Sequence, residues 1–170
     1  ESVKKGDVLQ VMPPSGNFVV KGDNKHIVGI CAGSGVTPII SMIKTELAKQ
    51  SDDKFTLIYG NKTEKSSMFS EELKQLQINN PNRLKIHNAY SREGVSGAIN
   101  GRLDKNTIQQ LLNTFMPLKT ADAYFICGPG ELIDNANELL LLNNINQKKI
   151  NFERFTTVEK TDVSENNSDE

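Results

Sequence analysis

Residues 26–38 read His-Ile-Val-Gly-Ile-Cys-Ala-Gly-Ser-Gly-Val-Thr-Pro, and the rest of the chain is best understood outward from them. His26–Ala32 is apolar almost throughout, the pattern of a strand buried on both faces. Gly33, Ser34 and Gly35 follow, and a helical pattern opens at Thr37 and Pro38. Glycine lets the backbone turn sharply and approach a ligand closely; threonine suits an N-cap and proline a first helical position. Amide donors at a helix start, with the positive end of its dipole, attract phosphate groups. An ordinary strand-to-helix turn also needs small residues, so a Gly-x-Gly alone leaves both readings open.

The units that follow repeat this alternation. A second apolar run at 55–59 leads through Gly60 and Asn61 to a helical pattern at 67–77. A third strand is expected at Leu84–Tyr90, a helix at 103–115, a fourth strand at Ala123–Cys127, a helix at Gly130–Leu142 and a last strand at 150–155. Such alternation predicts an α/β fold, a doubly wound parallel sheet of about five strands in the order 3-2-1-4-5 with helices on both faces. In that order the fourth strand lies beside the first, which sets Cys127, Gly128 and Pro129 across the crevice from the glycine loop.

Both ends depart from the pattern. Residues 6–12 (GDVLQVM) alternate like an edge or barrel strand, and residues 13–18 carry turn chemistry. Residues 158–170 hold five acids and one lysine, a net −4 against −1 overall, so the other 157 residues carry +3. With Glu1 first, the chain reads as part of a longer protein. Residues 1–22 are expected to close a preceding domain, 23–157 to form the α/β domain, and 158–170 to be an acidic linker.

Composition narrows the function classes. Hydrophobic residues at 36% and charged residues at 24% exclude a disordered chain, and no apolar run is long enough to span a bilayer. A net charge of −1 gives no footprint for nucleic acid. Two cysteines without ligand spacing predict no metal site and free thiols in a reducing, cytoplasmic setting. His26 and His87 are solitary and read as structural. No Lys-Ser or Lys-Thr follows the glycine loop, so a P-loop nucleotidase would lack its phosphate lysine and magnesium ligand. The third glycine of the dinucleotide fingerprint is missing, and so is an acid after the second strand, so an ordinary dehydrogenase fits poorly. Ser91-Arg92 joins a hydroxyl to a guanidinium fork at the end of the third strand, a pairing suited to phosphate. Only four of the 20 basic residues are arginine. A solvated loop arginine is the alternative at Arg92, and Arg102 is a second candidate whose expected role is packing at a helix start.

Taken in order, these motifs resemble the nicotinamide-nucleotide lobe of the ferredoxin–NADP reductase superfamily, in particular reductase components that join flavin, nucleotide and iron–sulfur domains. The matching stretches are Gly6-Asp7-Val8-Leu9, Pro14-Ser15-Gly16-Asn17-Phe18, the Ala32 to Pro38 loop, Tyr59-Gly60-Asn61 and Ser67-Met68-Phe69. Ser91-Arg92-Glu93, Gly101-Arg102-Leu103-Asp104, Cys127-Gly128-Pro129 and Glu153-Arg154-Phe155 complete the set. The resemblance implies that Gly33, Ser34, Gly35, Thr37 and Pro38 hold a pyrophosphate and that Gly60 and Asn61 border the ribose and adenine. It implies that Ser91 and Arg92 contact the 2′-phosphate of NADP, which favours NADP over NAD. Cys127, Gly128 and Pro129 would lie beside the nicotinamide, and Glu153 and Phe155 would approach a flavin edge, with Cys127 and Glu153 as the catalytic pair. Residues 1–18 would end an FAD-binding barrel whose flavin motifs lie upstream. A [2Fe–2S] domain, ferredoxin-like, would follow the acidic tail, and an oxygenase component is an implied partner. One departure is the stretch Val95-Ser96-Gly97-Ala98-Ile99, where plant-type reductases carry an aromatic residue for the adenine. Two other functions compete: a non-catalytic nucleotide-binding module, and a methyltransferase using S-adenosylmethionine, which lacks here an acid for the ribose.

Overall fold

The computed structural model describes residues 2–155. Its elements are β1 (His26–Ala32), α1 (Val36–Ala48), β2 (Lys54–Asn61), α2 (Ser70–Asn79), β3 (Leu84–Tyr90), β4 (Ile99–Asn100), α3 (Lys105–Thr114), β5 (Ala123–Cys127), α4 (Gly130–Leu142) and β6 (Ile150–Glu153). All pairings are parallel, in the order β4-β3-β2-β1-β5-β6. The five expected strands stand in their expected order. The sixth, β4, pairs only through Ala89–Ile99 and Tyr90–Asn100 and extends the edge beyond β3. Two residues carry no periodicity, so no sequence pattern announces it.

Period-two alternation sorts each strand's side chains between two cores. Ile27, Cys31, Phe55, Leu57, Tyr59 and Phe125 pack with Ile39 and Ile43 of α1 and Leu73 of α2. Val28, Ile30, Ile58, Tyr124 and Ile126 pack with Ile108 and Leu112 of α3 and Ile133 and Leu140 of α4. A side chain buried this fully stabilises the fold by roughly 1.5–3 kcal/mol relative to exposure. Because both faces need covering, the helices divide two and two, which is the doubly wound arrangement.

Several boundaries differ from the sequence reading. α1 opens at Val36 with Gly35 as N-cap, so Thr37 and Pro38 are its second and third residues. Thr37 is not the cap: its Oγ1 donates to Ser34 O at 2.9 Å and braces the loop. Asp104 caps α3, accepting from Thr107 N at 2.8 Å, so the helix starts at Lys105 rather than at Leu103. β6 ends at Glu153, leaving Phe155 beyond it. Residues 6–12 form no strand; Val8, Leu9, Val11 and Met12 are 62–94% exposed. An extended segment needs a neighbour for its N–H and C=O groups, and none of the described strands pairs with this one. Packing begins at Phe18, whose ring meets Phe125 edge-on at 5.4 Å. The segment 158–170, expected to be a linker, lies outside the described residues. Among them no helix is long and apolar enough to cross a membrane.

Candidate functional site

Six parallel strands present six C-terminal ends along one margin of the sheet, and a cleft of about 690 Å³ runs along it. One half is formed by Arg102 and Asp104 after β4, Ser91 after β3, and Asn61, Lys62 and Ser66 at and after β2. Ala32, Gly33 and Ser34 at the end of β1 form the middle, and Gly128, Pro129, Leu132 and Phe155 line the far half. At about 4.8 Å per strand the row measures roughly 24 Å, room for an extended ligand rather than a compact one.

The middle is built from close backbone approach. A Cβ on Gly35 would sit 2.2 Å from Cys127 O, so only glycine lets the loop settle against the end of β5. Gly33 has φ +54, a left-handed conformation costly for other residues, and a Cβ there would meet nothing within 4 Å. The loop is therefore tight on its β5 side and open on its cleft side. The Tyr59 hydroxyl lies 3.3 Å from both Gly33 O and Met68 O, tying the loop to the segment after β2. Burial pushes its pKa up to about 12, so it remains a donor.

In the far half, Cys127 is fully buried and its partner across the β1–β5 pairing is Cys31. Both are free thiols. Burial, reinforced by the nearby Glu153 carboxylate, pushes Cys127 up to about 11, and burial raises Cys31 well above its ordinary value. Neither supplies a thiolate nucleophile near neutral pH. Glu153 stands opposite Cys127 across the β5–β6 pairing and is not on the cleft wall, while Arg154 beside it pairs with Asp134.

In the first half Asp104 and Ser66 are engaged, by Thr107 and Thr63, but the two cations are not. Lys62 and Arg102 are exposed, and neither side chain has a carboxylate or hydrogen-bond acceptor among the described residues. Asn61 keeps its Nδ2 buried beside the Tyr59 hydroxyl.

Of the residues singled out from sequence, Gly33, Ser34, Gly60, Asn61, Ser91, Gly128, Pro129 and Phe155 all line the cleft. Gly35, Thr37 and Pro38 support it from behind, and Arg92, Cys127 and Glu153 are not on its wall. Arg102 corrects the sequence reading: α3 is started by Asp104, and Arg102 faces the cleft. Lys62 and Ser66 were not singled out, although Lys62 directly follows the last residue of β2, a position where cleft residues are expected. His26 Nε2 lies 2.8 Å from Thr56 Oγ1, and the His87 ring lies against Phe115 at 4.5 Å, so both serve the structure.

The family model described as the oxidoreductase NAD-binding domain matches residues 30–138. The chain belongs to that family. One component of the 1,2-phenylacetyl-CoA epoxidase of Escherichia coli is 35% identical over 161 residues, covering 92% of this chain and 45% of that protein. The ferredoxin reductase component of a 3-ketosteroid-9-alpha-monooxygenase from Rhodococcus rhodochrous is 32% identical, covering 93% and 42%. The FAD/NAD-binding domain of the nitric oxide dioxygenase of Vibrio cholerae superposes with a TM-score of 0.71 at 26% identity, covering 84% and 56%. The NAD-binding domain anticipated from the motifs is thereby borne out, as is its kinship with ferredoxin reductases. The chain spans less than half the length of the first two relatives.

Proposed function

We propose that this NAD-binding domain is the nucleotide lobe of a cytoplasmic flavin-dependent reductase. In it, NADPH or NADH reduces FAD, and electrons pass on to an iron–sulfur centre or an oxygenase partner. The reading rests on one observation above the rest: the glycine loop stands at the middle of a cleft that joins all six strand ends. A pyrophosphate on Gly33 and Ser34 would send one half of a dinucleotide towards Asn61 and Ser91 and the other towards Gly128 and Pro129. The polar groups on the first side suit a ribose and phosphate, and the apolar wall of Leu132 and Phe155 on the other suits a nicotinamide ring.

The nicotinamide and the flavin supply the hydride chemistry; the protein's share is placement. Gly35 and Thr37 fix the loop, Pro38 lies in the first turn of its supporting helix, and Gly60 keeps the floor low. Cys127 and Glu153 act by position, since a thiol held near 11 keeps its proton. Phe155 is directed to the flavin side, where an FAD domain and a ferredoxin-like [2Fe–2S] domain of the same protein are the proposed partners. Ser91 stands at the end of β3 for the 2′-phosphate, with Lys62 and Arg102 on the cleft wall to either side and Arg92 just off it, which favours NADP. The 32% identity to a ferredoxin reductase component supports the reductase reading.

Calorimetric titration with NADPH, NADH and S-adenosylmethionine tests the reading. Binding of a nicotinamide nucleotide without S-adenosylmethionine is expected. Binding of S-adenosylmethionine alone would replace the reductase reading with a methyltransferase.

A further inference from the structure

We propose that the cavity between α2 and β3 is a second ligand site, built for a free α-amino acid with a large apolar side chain and coupled to the glycine loop through Tyr59. The cavity measures about 500 Å³ and is separate from the cleft at the strand ends, since no residue lines both. Only the coupling rests on the nucleotide-binding reading above; the site itself does not.

The ligand class follows from the lining. Ile86, Asn88 and Tyr90, one face of β3 by period-two alternation, form the floor. Asn88 interrupts an apolar series, although asparagine is depleted in strands, and its side chain has no hydrogen-bond partner among the described residues. From α2, Leu73 lines the cavity together with Glu71 and Lys74. Opposite charges three residues apart on a helix are neighbours, and Glu46 and Lys49 use that spacing to pair at 2.7 Å. Glu71 and Lys74 form no ion pair with each other or with any other described residue, whereas Glu72 between them pairs with Lys44. A carboxylate, an ammonium and an amide are thus left without partners beside the apolar surface of Leu73 and Ile86. An α-amino acid answers all of them: its ammonium suits Glu71, its carboxylate suits Lys74 and the Asn88 amide, and its side chain covers Leu73 and Ile86. A purely apolar ligand would leave both charges unused, and a simple anion would meet Glu64 and Glu71.

The segment between β2 and α2 is a wall common to both spaces. Ser66 lines the cleft and Ser67, the next residue, lines the cavity. Tyr59 also lines the cavity, and its hydroxyl lies 3.3 Å from both Met68 O in this wall and Gly33 O in the glycine loop. The Ser67 side chain is hydrogen-bonded to the Tyr90 hydroxyl on the cavity floor. The wall ends at Phe69, held at φ +59, a left-handed conformation that a bulky residue keeps only when its surroundings impose it. A ligand packed against this wall holds Tyr59 in place and with it Gly33, so occupancy of the cavity pre-organises the loop for a nucleotide.

The test titrates the full chain calorimetrically with L-leucine, N-acetyl-L-leucine, which lacks the ammonium, and L-leucinamide, which lacks the carboxylate. L-leucine is expected to bind with a dissociation constant of about 1 mM or below, and each analogue about fivefold more weakly. Glu71→Gln and Lys74→Met should each weaken L-leucine about fivefold, while Glu71→Gln leaves N-acetyl-L-leucine and Lys74→Met leaves L-leucinamide within about twofold of the wild type. Both side chains are exposed, so thermal midpoints should stay at the wild-type value. Saturating L-leucine should tighten NADPH about threefold, and NADPH should tighten L-leucine by the same factor. Tyr59→Phe should keep L-leucine binding and lose that mutual effect; if this variant does not fold, Ser67→Ala, which frees the Tyr90 hydroxyl from the same wall, tests the coupling in its place. No binding of L-leucine up to about 10 mM, equal binding of the three compounds, or no loss in either charge variant would overturn the site. NADPH affinity unchanged or weakened by L-leucine would overturn the coupling. Failure of NADPH to bind would remove the nucleotide-binding reading and the coupling with it, and the L-leucine titrations would still decide the site.

Discussion

At the N-terminal margin of the sheet, Arg83 donates to the carbonyls of Glu46, Leu47, Lys49 and Asp53 at 2.8–3.2 Å and closes the C-terminal end of α1. At the C-terminal margin, Arg102 donates to nothing among the described residues. The same residue type is thus spent at one end and kept at the other. Asp122 shows the same thrift at the N-terminal margin, accepting from Lys25 N and His26 N at 2.8 and 3.0 Å where β1 begins, while Ser91 and Lys62 line a cleft. Parallel strands make this division natural, because every loop that returns from a helix enters at one margin and every loop that leaves a strand exits at the other. One margin is bound together for stability, and the other is left open for a ligand.

The largest expected effect breaks that division where the open margin is itself packed. Gly35→Val places a Cβ 2.2 Å from Cys127 O, and the contact is backbone, which cannot swing away. Urea unfolding should show a loss of about 3 kcal/mol or more. Gly33→Ala, with φ +54 but open space around it, should lose only about 1 kcal/mol. Similar losses at both positions would show that the loop is not tight on one side and open on the other.

Arg83→Ala comes next and tests the bound margin directly. Removing a guanidinium that caps four carbonyls should cost about 2–3 kcal/mol by urea unfolding, while nucleotide affinity of the folded protein stays unchanged. A loss below about 0.5 kcal/mol would erase the contrast with Arg102.

The contrast between Arg83 and Arg102 also marks what sequence could convey. Strand order was legible because His26–Ala32, Phe55 to Tyr59 and Ala123–Cys127 are apolar runs set at regular intervals by helices, and handedness rules leave few ways to arrange them. The glycine loop was legible because Gly33 and Gly35 answer to backbone geometry that few other residues satisfy. Four arginines look alike in a sequence, and which of them finds acceptors depends on contacts such as Arg83 to Leu47, 36 positions away. Arg92 stood out because it joins a serine at a strand end, yet it is Arg102 that reaches the cleft wall, through a two-residue strand that no periodicity reveals. Residues 6–12 mark a different limit: their alternation is real, but a strand is a property of a pair, and none of the described strands pairs with them.

A smaller effect is expected at Asp104, which lines the cleft yet works for stability. Its carboxylate caps α3, and the hydrogen bond from Thr107 N holds its pKa below the ordinary value of 3.8. A carboxylate whose folded pKa is depressed contributes stability above its unfolded pKa and loses it as pH falls through the folded one. Asp104→Ala should therefore lose about 1 kcal/mol at pH 7. The wild-type advantage over this variant should shrink as pH drops below 3.8. Asp104→Asn keeps an acceptor for the cap and should match the wild type more closely at pH 7, with a flatter acid limb. An alanine variant whose deficit persists undiminished at pH 2 would mean that the charge plays no part.

The smallest effect is expected at Arg92, and it decides how sharply the open margin divides its labour. The guanidinium is exposed and off the cleft wall, while the backbone N–H holds Lys62 O at 2.9 Å. Arg92→Ala leaves that hydrogen bond intact and removes only a charge near the cleft. Its attraction for a phosphate acts through water, where exposed charges are worth at most about 1 kcal/mol and are screened within about 8–10 Å at ordinary ionic strength. NADPH affinity should fall about two- to threefold at low salt, the loss should vanish as salt rises, and NADH should change less. Arg102→Ala measured alongside should lose about tenfold and keep most of that loss at the higher salt, because a direct charge-assisted contact is less screened than a remote one. If Arg92→Ala instead costs tenfold or more and Arg102→Ala little, the phosphate sits against the Ser91-Arg92 pair alone, and Lys62 and Arg102 join the solvated surface.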